Sequence, residues 1–454
     1  MKGRVLRAHA ALAVKKMQAR AWLVLVPAAR AVLGVVLPAL RPAAPIDWAP
    51  LVLACAWAVL QWRAVRYRLS DAPACVTVQQ GVLVRRTLHL AMRDAATVTG
   101  ETSPLLRFLG AGRVRLGTAG LRRKSDATLY LPHADLRRLM GTEKGAAVYR
   151  AKRWPILLLA LSGSNAAVGM LTAVPLLRRI GALSGVEGWA AHPYLPPLPA
   201  LITAAGNLLL AGWGFSFIKT LLGSYGFCAY KQGDRVRLCS GWMTRRTVLI
   251  DARRITALEL RQTLFMRLFG VQSAGITAAG YGREQGVRPV LIPAAAKRQL
   301  GAALDGLLGD FPICRSLLRP ARGEALRYLW LPLLLCPLGT LWLLVPQMGG
   351  VLCLLWCGVC GWWLAVRFLG YRSAGLGIGE RAVSLRCYRG LALFEIHIPI
   401  EVVDAVVLTQ SPRQRKKSIC TVTVRCFGEK RRRYRVPALP LAPIEERLAK
   451  RGRS

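Results

Sequence analysis

The sequence predicts an α+β membrane protein with six transmembrane helices in three hairpins, each followed by a small antiparallel β domain ending in a C-terminal helix. Three observations predict it. The phrase Gly81-Val-Leu-Val-Arg-Arg-Thr87 returns as Gly241-Trp-Met-Thr-Arg-Arg-Thr247, and the match continues without a gap: Arg93 meets Arg253, Arg107 meets Arg267, Gly110 meets Gly270. Apolar stretches occur in pairs ahead of each polar stretch. The chain is 54% hydrophobic, yet carries 65 Lys and Arg against 22 Asp and Glu, a formal net charge of +43. Self-similarity at a fixed period marks a duplicated structural unit, so it decides the architecture first. Such greasiness combined with such basicity points away from soluble enzymes. It suits a nucleic-acid binder, or a membrane protein whose basic parts stay in the cytoplasm.

A chain of 454 residues suggests about three domains. A basic segment, residues 1–20, comes first. A hydrocarbon core of about 30 Å is crossed by roughly 20 mainly apolar helical residues. The candidate spans are 21–40 with 48–62, 154–177 with 198–218, and 328–345 with 350–368. The stretch from Trp330 to Val345 lacks the polar face that a soluble surface helix requires. Arg30 interrupts the first span, which costs about 2.5–3.5 kcal/mol at mid-bilayer unless the charge snorkels or pairs. The long basic start (Lys2, Arg4, Arg7, Lys15, Lys16, Arg20) has no small-residue cleavage site behind a short apolar core, so no cleavable signal peptide is predicted. The order that follows is hairpins at 21–62, 154–218 and 326–368, with β domains at 63–153, 219–325 and 369–454. Basic residues crowd the amino terminus and the segments after each hairpin, so both termini and all three β domains are predicted on the cytoplasmic face. Arg178 and Arg179 dissent from the outer side.

Each β domain opens after a span with a tyrosine, at Tyr67, Tyr225 and Tyr371. Alternation as in Arg235-Val-Arg-Leu-Cys239 and Ser384-Leu-Arg-Cys-Tyr388 predicts strands with one apolar and one wet face. A glycine (Gly81, Gly241, Gly390) turns the chain into a returning strand, a hairpin signal. A hydroxyl with an arginine four positions on then recurs, as Ser103 with Arg107, Thr263 with Arg267 and Ser411 with Arg415. It reads either as a cap on a short helical turn or as a ligand contact. Tyr130-Leu-Pro132, Leu291-Ile-Pro293 and Arg435-Val-Pro437 end a strand and introduce the closing helix, because proline cannot continue a ladder but suits a first helical turn.

With these residues in hand, the chain resembles the bacterial membrane-flanked pleckstrin-homology (PH)-like domain proteins, the YdbS/YdbT-like group, as three tandem units. The resemblance rests on Tyr67, Gly81, Arg85, Arg86, Thr87, Arg107 and Gly110, on Tyr225, Gly241, Arg245, Arg246, Thr247, Arg267 and Gly270, and on Gln410-Ser411 with Arg415. It implies a PH-like β-barrel or sandwich, a curled seven-stranded sheet plugged by a terminal helix, in the bacterial inner membrane. It also implies a link to export of, or tolerance to, antimicrobial peptides. Unit three departs from the pattern, with Leu391-Ala-Leu-Phe-Glu395 in place of the Arg-Arg-Thr hairpin. Lys416-Lys417 stands there where the other units have Phe108-Leu109 and Leu268-Phe269.

Catalysis needs an acid, base or nucleophile held in a cleft, and the five histidines are scattered; His89 and His397 read as strand-surface residues. Cys353, Cys357 and Cys360 share a face of the last span, but no second pair completes a zinc set, and packing is the simpler reading. No phosphate loop is present. The sequence therefore predicts no enzyme, no cofactor and no metal. The remaining signal is positive charge beside a bilayer, where each Lys or Arg near anionic lipid contributes about 1 kcal/mol. Arg85, Arg86, Arg245, Arg246, Arg413, Arg415, Lys416 and Lys417 are the candidates for headgroup contact, against the plainer reading of topology control and a solvated face. Nucleic acid is not expected, since the basic stretches lack interleaved stacking rings. Expected partners are membrane lipids, a second copy, or a smaller single-unit relative. The functions that follow are an interaction or anionic-lipid-sensing platform, peptide export or tolerance, or a homo-oligomeric membrane scaffold.

Overall fold

The computed structural model describes residues 5–20, 44–71, 74–118, 127–141, 147–163, 200–278, 290–309, 311–314, 316–321, 323–344, 350–389, 392–426 and 432–452. Unit one contains β1 (Val5–Arg7), β2 (Arg66–Asp71), β3 (Ala74–Gln80), β4 (Arg86–Ala91), β5 (Ala95–Thr102), β6 (Ala111–Thr118) and β7 (Ala127–Pro132), closed by the helix His133–Met140. Unit two repeats the plan with β8 (Tyr149–Arg150), β9 (Cys228–Gln232), β10 (Arg235–Ser240), β11 (Arg245–Asp251), β12 (Ile255–Thr263), β13 (Val271–Ala278), β14 (Val290–Ala296) and the helix Lys297–Leu308. Unit three has β15 (Gly375–Ile378), β16 (Ala382–Arg389), β17 (Ala392–Pro399), β18 (Val403–Thr409), β19 (Ile419–Cys426), β20 (Arg432–Pro440) and the helix Leu441–Gly452. The chain is thus an α+β protein with three PH-like antiparallel units, each closed by one helix, as the alternation and the prolines predict.

The seventh strand of each unit has an unexpected source. β1 lies upstream of the first helical region yet pairs with β2 (Leu6 opposite Tyr67), and β8 pairs in the same way with β9. In unit three the strand is reduced to one bridge, Leu318 with Leu376. The strand entering and the strand leaving each helical region are therefore neighbours in one sheet.

Each unit splits its strands into two groups, and the groups merge between units. One sheet has the order β7-β6-β5-β11-β10-β9-β8, and another β14-β13-β12-β17-β16-β15. The first edge of unit two is thereby zipped to the last edge of unit one, Thr102 opposite Arg245 through Thr97 opposite Ile250. Unit three is zipped to unit two in the equivalent register, Gln262 opposite Leu393 through Leu258 opposite His397. The cores follow the sheets: Leu249 of unit two packs among Val98, Val114 and Leu116 of unit one, and Ala257 of unit two packs into the core of unit three. The terminal groups, β1-β2-β3-β4 and β18-β19-β20, stand as separate sheets.

Local details refine one expectation and correct two. Tyr67 is a buried strand residue whose hydroxyl donates to Asp135 of the closing helix at 2.7 Å, whereas Tyr225 and Tyr371 sit at the ends of helical stretches. Pro132 ends its strand, but β14 and β20 run three residues beyond Pro293 and Pro437. Both lie on outer strands of their sheets, beside register shifts, where the missing amide leaves no ladder bond unmade. His397 is buried at 2% exposure, not on the strand surface. Its Nδ1 lies 2.8 Å from the Ser384 hydroxyl on the facing strand, which also accepts from the Cys314 amide.

The predicted spans fall on the helices Ala44–Ala64, Arg153–Gly163, Ala200–Ser224, Ala325–Leu344 and Gly350–Ser373. Span 21–40, with Arg30, and most of span 154–177 lie outside the described residues. Among the described residues no helix is long and apolar enough to cross a membrane.

Candidate functional site

The repeated hairpins are built on glycine. Gly81 has φ of 119° and Gly241 of 100°, and a Cβ would stand 1.9 Å from the Val84 carbonyl oxygen or 2.1 Å from that of Thr244. Only glycine tolerates both the φ and the contact. The turn thus closed puts Leu83 and Val84 into solvent in unit one, at 87% and 70% exposure. In unit two it puts out Trp242 and Met243. Arg85 and Arg86, and Arg245, follow immediately and are exposed. A second apolar tip recurs nearby. Ser103 caps the turn Pro104–Phe108 by accepting from the Leu106 amide, and Thr263 caps Leu264–Leu268 by accepting from the Met266 amide. Leu106 and Met266 anchor the turns in the core, while Phe108 and Leu268 are exposed at 90% and 73%. The hydroxyls are therefore caps.

Both tips of unit two lie where the helices meet the sheet. The Trp242 amide donates to the Leu222 carbonyl in the last turn of Ala200–Ser224, at 3.1 Å. Phe269 stands edge-on to Trp154 at a centroid distance of 6.3 Å, and Phe265 lies 6.5 Å from Trp362. Exposed apolar side chains continue up the helices: Leu326, Trp330, Leu334, Leu338 and Leu341 on Ala325–Leu344, Val52 and Leu53 on Ala44–Ala64.

Unit three exchanges grease for charge at this place. Ser411 heads a capping box in which its amide donates to Gln414 Oε1 and its hydroxyl accepts from the Gln414 amide. Gln414 takes the buried anchor position of Met266 and donates to Thr421 Oγ1 at 3.0 Å. Ser418, with φ of 51°, occupies the left-handed position that Gly110 and Gly270 fill in the other units. Arg413, Arg415 and Lys416 point into solvent. Lys417 Nζ reaches Glu324 at 2.6 Å, beside the start of Ala325–Leu344.

The structure separates the eight predicted contact residues by role. Arg85, Arg86 and Arg245 flank exposed apolar tips, and Arg413, Arg415 and Lys416 form a second basic group. Arg246 faces the other way. Its guanidinium lies 2.6 Å from Glu101, a carboxylate of unit one at 3% exposure that also pairs with Arg113. Burial alone would push Glu101 up. The hydrogen bond from Arg113 and the charges of Arg246, Arg113 and Arg115 outweigh it and hold the carboxylate below its usual range. At the second junction Glu259 accepts from Arg432 and, at 2.8 Å, from the Tyr434 hydroxyl, whose pKa is pushed up by burial and then by Glu259. Glu101 and Glu259 were not singled out from the sequence because Arg246, Arg432 and Tyr434 belong to the following units. The apolar tips were visible as Leu83-Val84 and Trp242-Met243, between a glycine and arginines.

Among the described residues no group of three His, Cys, Asp or Glu is placed to hold a metal ion. The Ser384–His397 pair is sealed inside unit three, and burial pulls His397 below the usual imidazole value against the pull of Glu395.

The chain is 19% identical over 323 residues to the transmembrane protein YdbT of Bacillus subtilis (strain 168), a match covering 63% of this chain and 64% of that relative. No solved structure matches. The model of the bacterial PH domain matches three times, at residues 18–147, 171–307 and 330–450. Those segments coincide with the three repeats of hairpin, capped turn and closing helix, and the chain belongs to the bacterial PH domain family.

Proposed function

We propose that the chain is a non-enzymatic, multi-pass protein of the bacterial cytoplasmic membrane whose three PH-like units form an anionic-lipid-contacting platform on the cytoplasmic face. One observation carries the reading: in units one and two, large apolar side chains stand exposed on glycine hairpins directly beside exposed arginines. An apolar tip with a basic collar suits the boundary between acyl chains and phosphates, where each cation contributes about 1 kcal/mol. Three observations support it. The unit-two tip is hydrogen-bonded to a helix end, the helices carry exposed leucine and tryptophan beyond what an aqueous surface normally shows, and the relative in Bacillus subtilis is named a transmembrane protein. The burial of the Ser384–His397 pair favours a structural role for the most catalysis-like residues.

The test places a photoreactive benzoylphenylalanine at Leu83 or Trp242 of the full-length chain in vesicles containing phosphatidylglycerol. The exposed Lys231 serves as control. Lipid adducts at the two tips and none at Lys231 are expected; adducts equal at all three sites would overturn the reading. Exchanging Arg85 and Arg245 for glutamine should lower the anionic fraction of the adducts, and an unchanged fraction removes the headgroup role.

A further inference from the structure

The two internal junctions use the same strands in the same register. Gln262 corresponds to Thr102, and Leu393 to Arg245, through the shared cap and the short helical turn after each returning strand. The pair Thr102–Arg245 at the first junction is therefore the pair Gln262–Leu393 at the second. Each junction needs a donor edge (β5, then β12) and a receiving edge (β11, then β17). Three units supply three of each, and two of each are used. What remains is the receiving edge β4 of unit one and the donor edge β18 of unit three.

Among the described residues both remaining edges are open. Sheet pairing stops at β4 on one side and at β18 on the other. Among the described residues no further backbone hydrogen bond reaches either strand's outer row, apart from the turn bond from the Asp94 amide to the Ala91 carbonyl. β18 reads Val-Asp-Ala-Val-Val-Leu-Thr. It has no proline and no lysine, the devices that usually blunt a strand edge. The chain's own β4 and β18 lie in separate sheets, so β18 is not closed by its own amino-terminal unit.

We infer that β18 of one copy pairs with β4 of a second copy, continuing head to tail the junction already formed twice within the chain. The internal registers fix the new one: Gln410 faces Arg85, Thr409 faces Arg86, Leu408 faces Thr87, and Val406 faces His89. This contact is heterologous, one surface against a different surface, so it propagates into rings or rows instead of stopping at a symmetric dimer. It differs from the first internal junction in one respect. Thr409 stands where Glu101 stands at the first junction, and Arg86 where Arg246 stands, so the open edges lack the carboxylate that secures Arg246.

That difference provides a test that damage to the fold cannot imitate. Native mass spectrometry of the purified full-length chain across a concentration series should show species above the monomer. Thr409→Glu, an exposed position, recreates the Glu101–Arg246 arrangement between copies and should tighten association on the order of tenfold. Adding Arg86→Glu should remove that gain, and Thr409→Arg with Arg86→Glu should restore it. Oxidation of a mixture of Leu408→Cys and Thr87→Cys chains should yield the bridged 408–87 peptide, with Val406→Cys in place of Leu408→Cys giving none. A wild-type monomer at every concentration together with an inert Thr409→Glu would overturn the inference. So would a 408–408 bridge forming in preference to 408–87, because it reports a symmetric contact.

Discussion

Glu101 is one carboxylate among three arginines, and its charge state decides whether the first junction is neutralised. Its folded pKa lies below the unfolded value, so its stabilising contribution is fully present above the usual carboxylate range and is lost as pH falls below that range through the lowered folded value. Glu101→Gln keeps the shape but strands Arg113 and Arg246 in a buried site. The expected cost at neutral pH is about 3 kcal/mol, read by chemical denaturation. The gap between variant and wild type should close in acid, and a constant gap would show that the carboxylate is not the responsible group. The arginines were legible in the sequence and their partner was not. Residue types reveal which groups want a counter-charge, whereas Glu101 and Arg246 meet only because two units share a sheet.

At the scale of the element, capped turns and hairpins were the most readable parts, because their signals are local. A hydroxyl three residues before an orphan amide, or a glycine where φ must be positive, carries its physics within a few positions. Gly241→Ala should therefore destabilise unit two by more than about 1 kcal/mol and displace Trp242 from the foot of its helix. Hydrogen exchange at the Trp242 amide, now bonded to Leu222, would report it; unaltered protection would mean that the turn adapts. Strand ends past Pro293 and Pro437 were misjudged for the complementary reason. Whether a missing amide matters depends on whether the strand is an outer one, and that is decided by sheet order.

For the whole molecule, the number of units and their hairpin-then-helix order could be read from the repeat, while the merging of sheets could not. Alternation assigns each side chain to a face but is silent about which strand lies alongside. The merged architecture predicts that the units are not independent. A chain ending at Gly309 would leave β12 bare and Glu259 without Arg432 and Tyr434. It should unfold at lower denaturant than the same segment within the full chain, and self-associate through β12. Equal stability and a clean monomer would argue that the junctions are incidental contacts between self-sufficient units.

The staggered zipping of one unit to the next also dictates a timetable. A ribosome delivers β5 long before β11, with a whole helical region between them, an interval of roughly 10–30 s at ordinary elongation speeds. Throughout that interval the nascent polypeptide displays a bare rim, which its successor covers only once the intervening helices have been synthesised. Biogenesis is thereby ordered from amino to carboxyl end, each segment waiting to be sealed by the next to emerge.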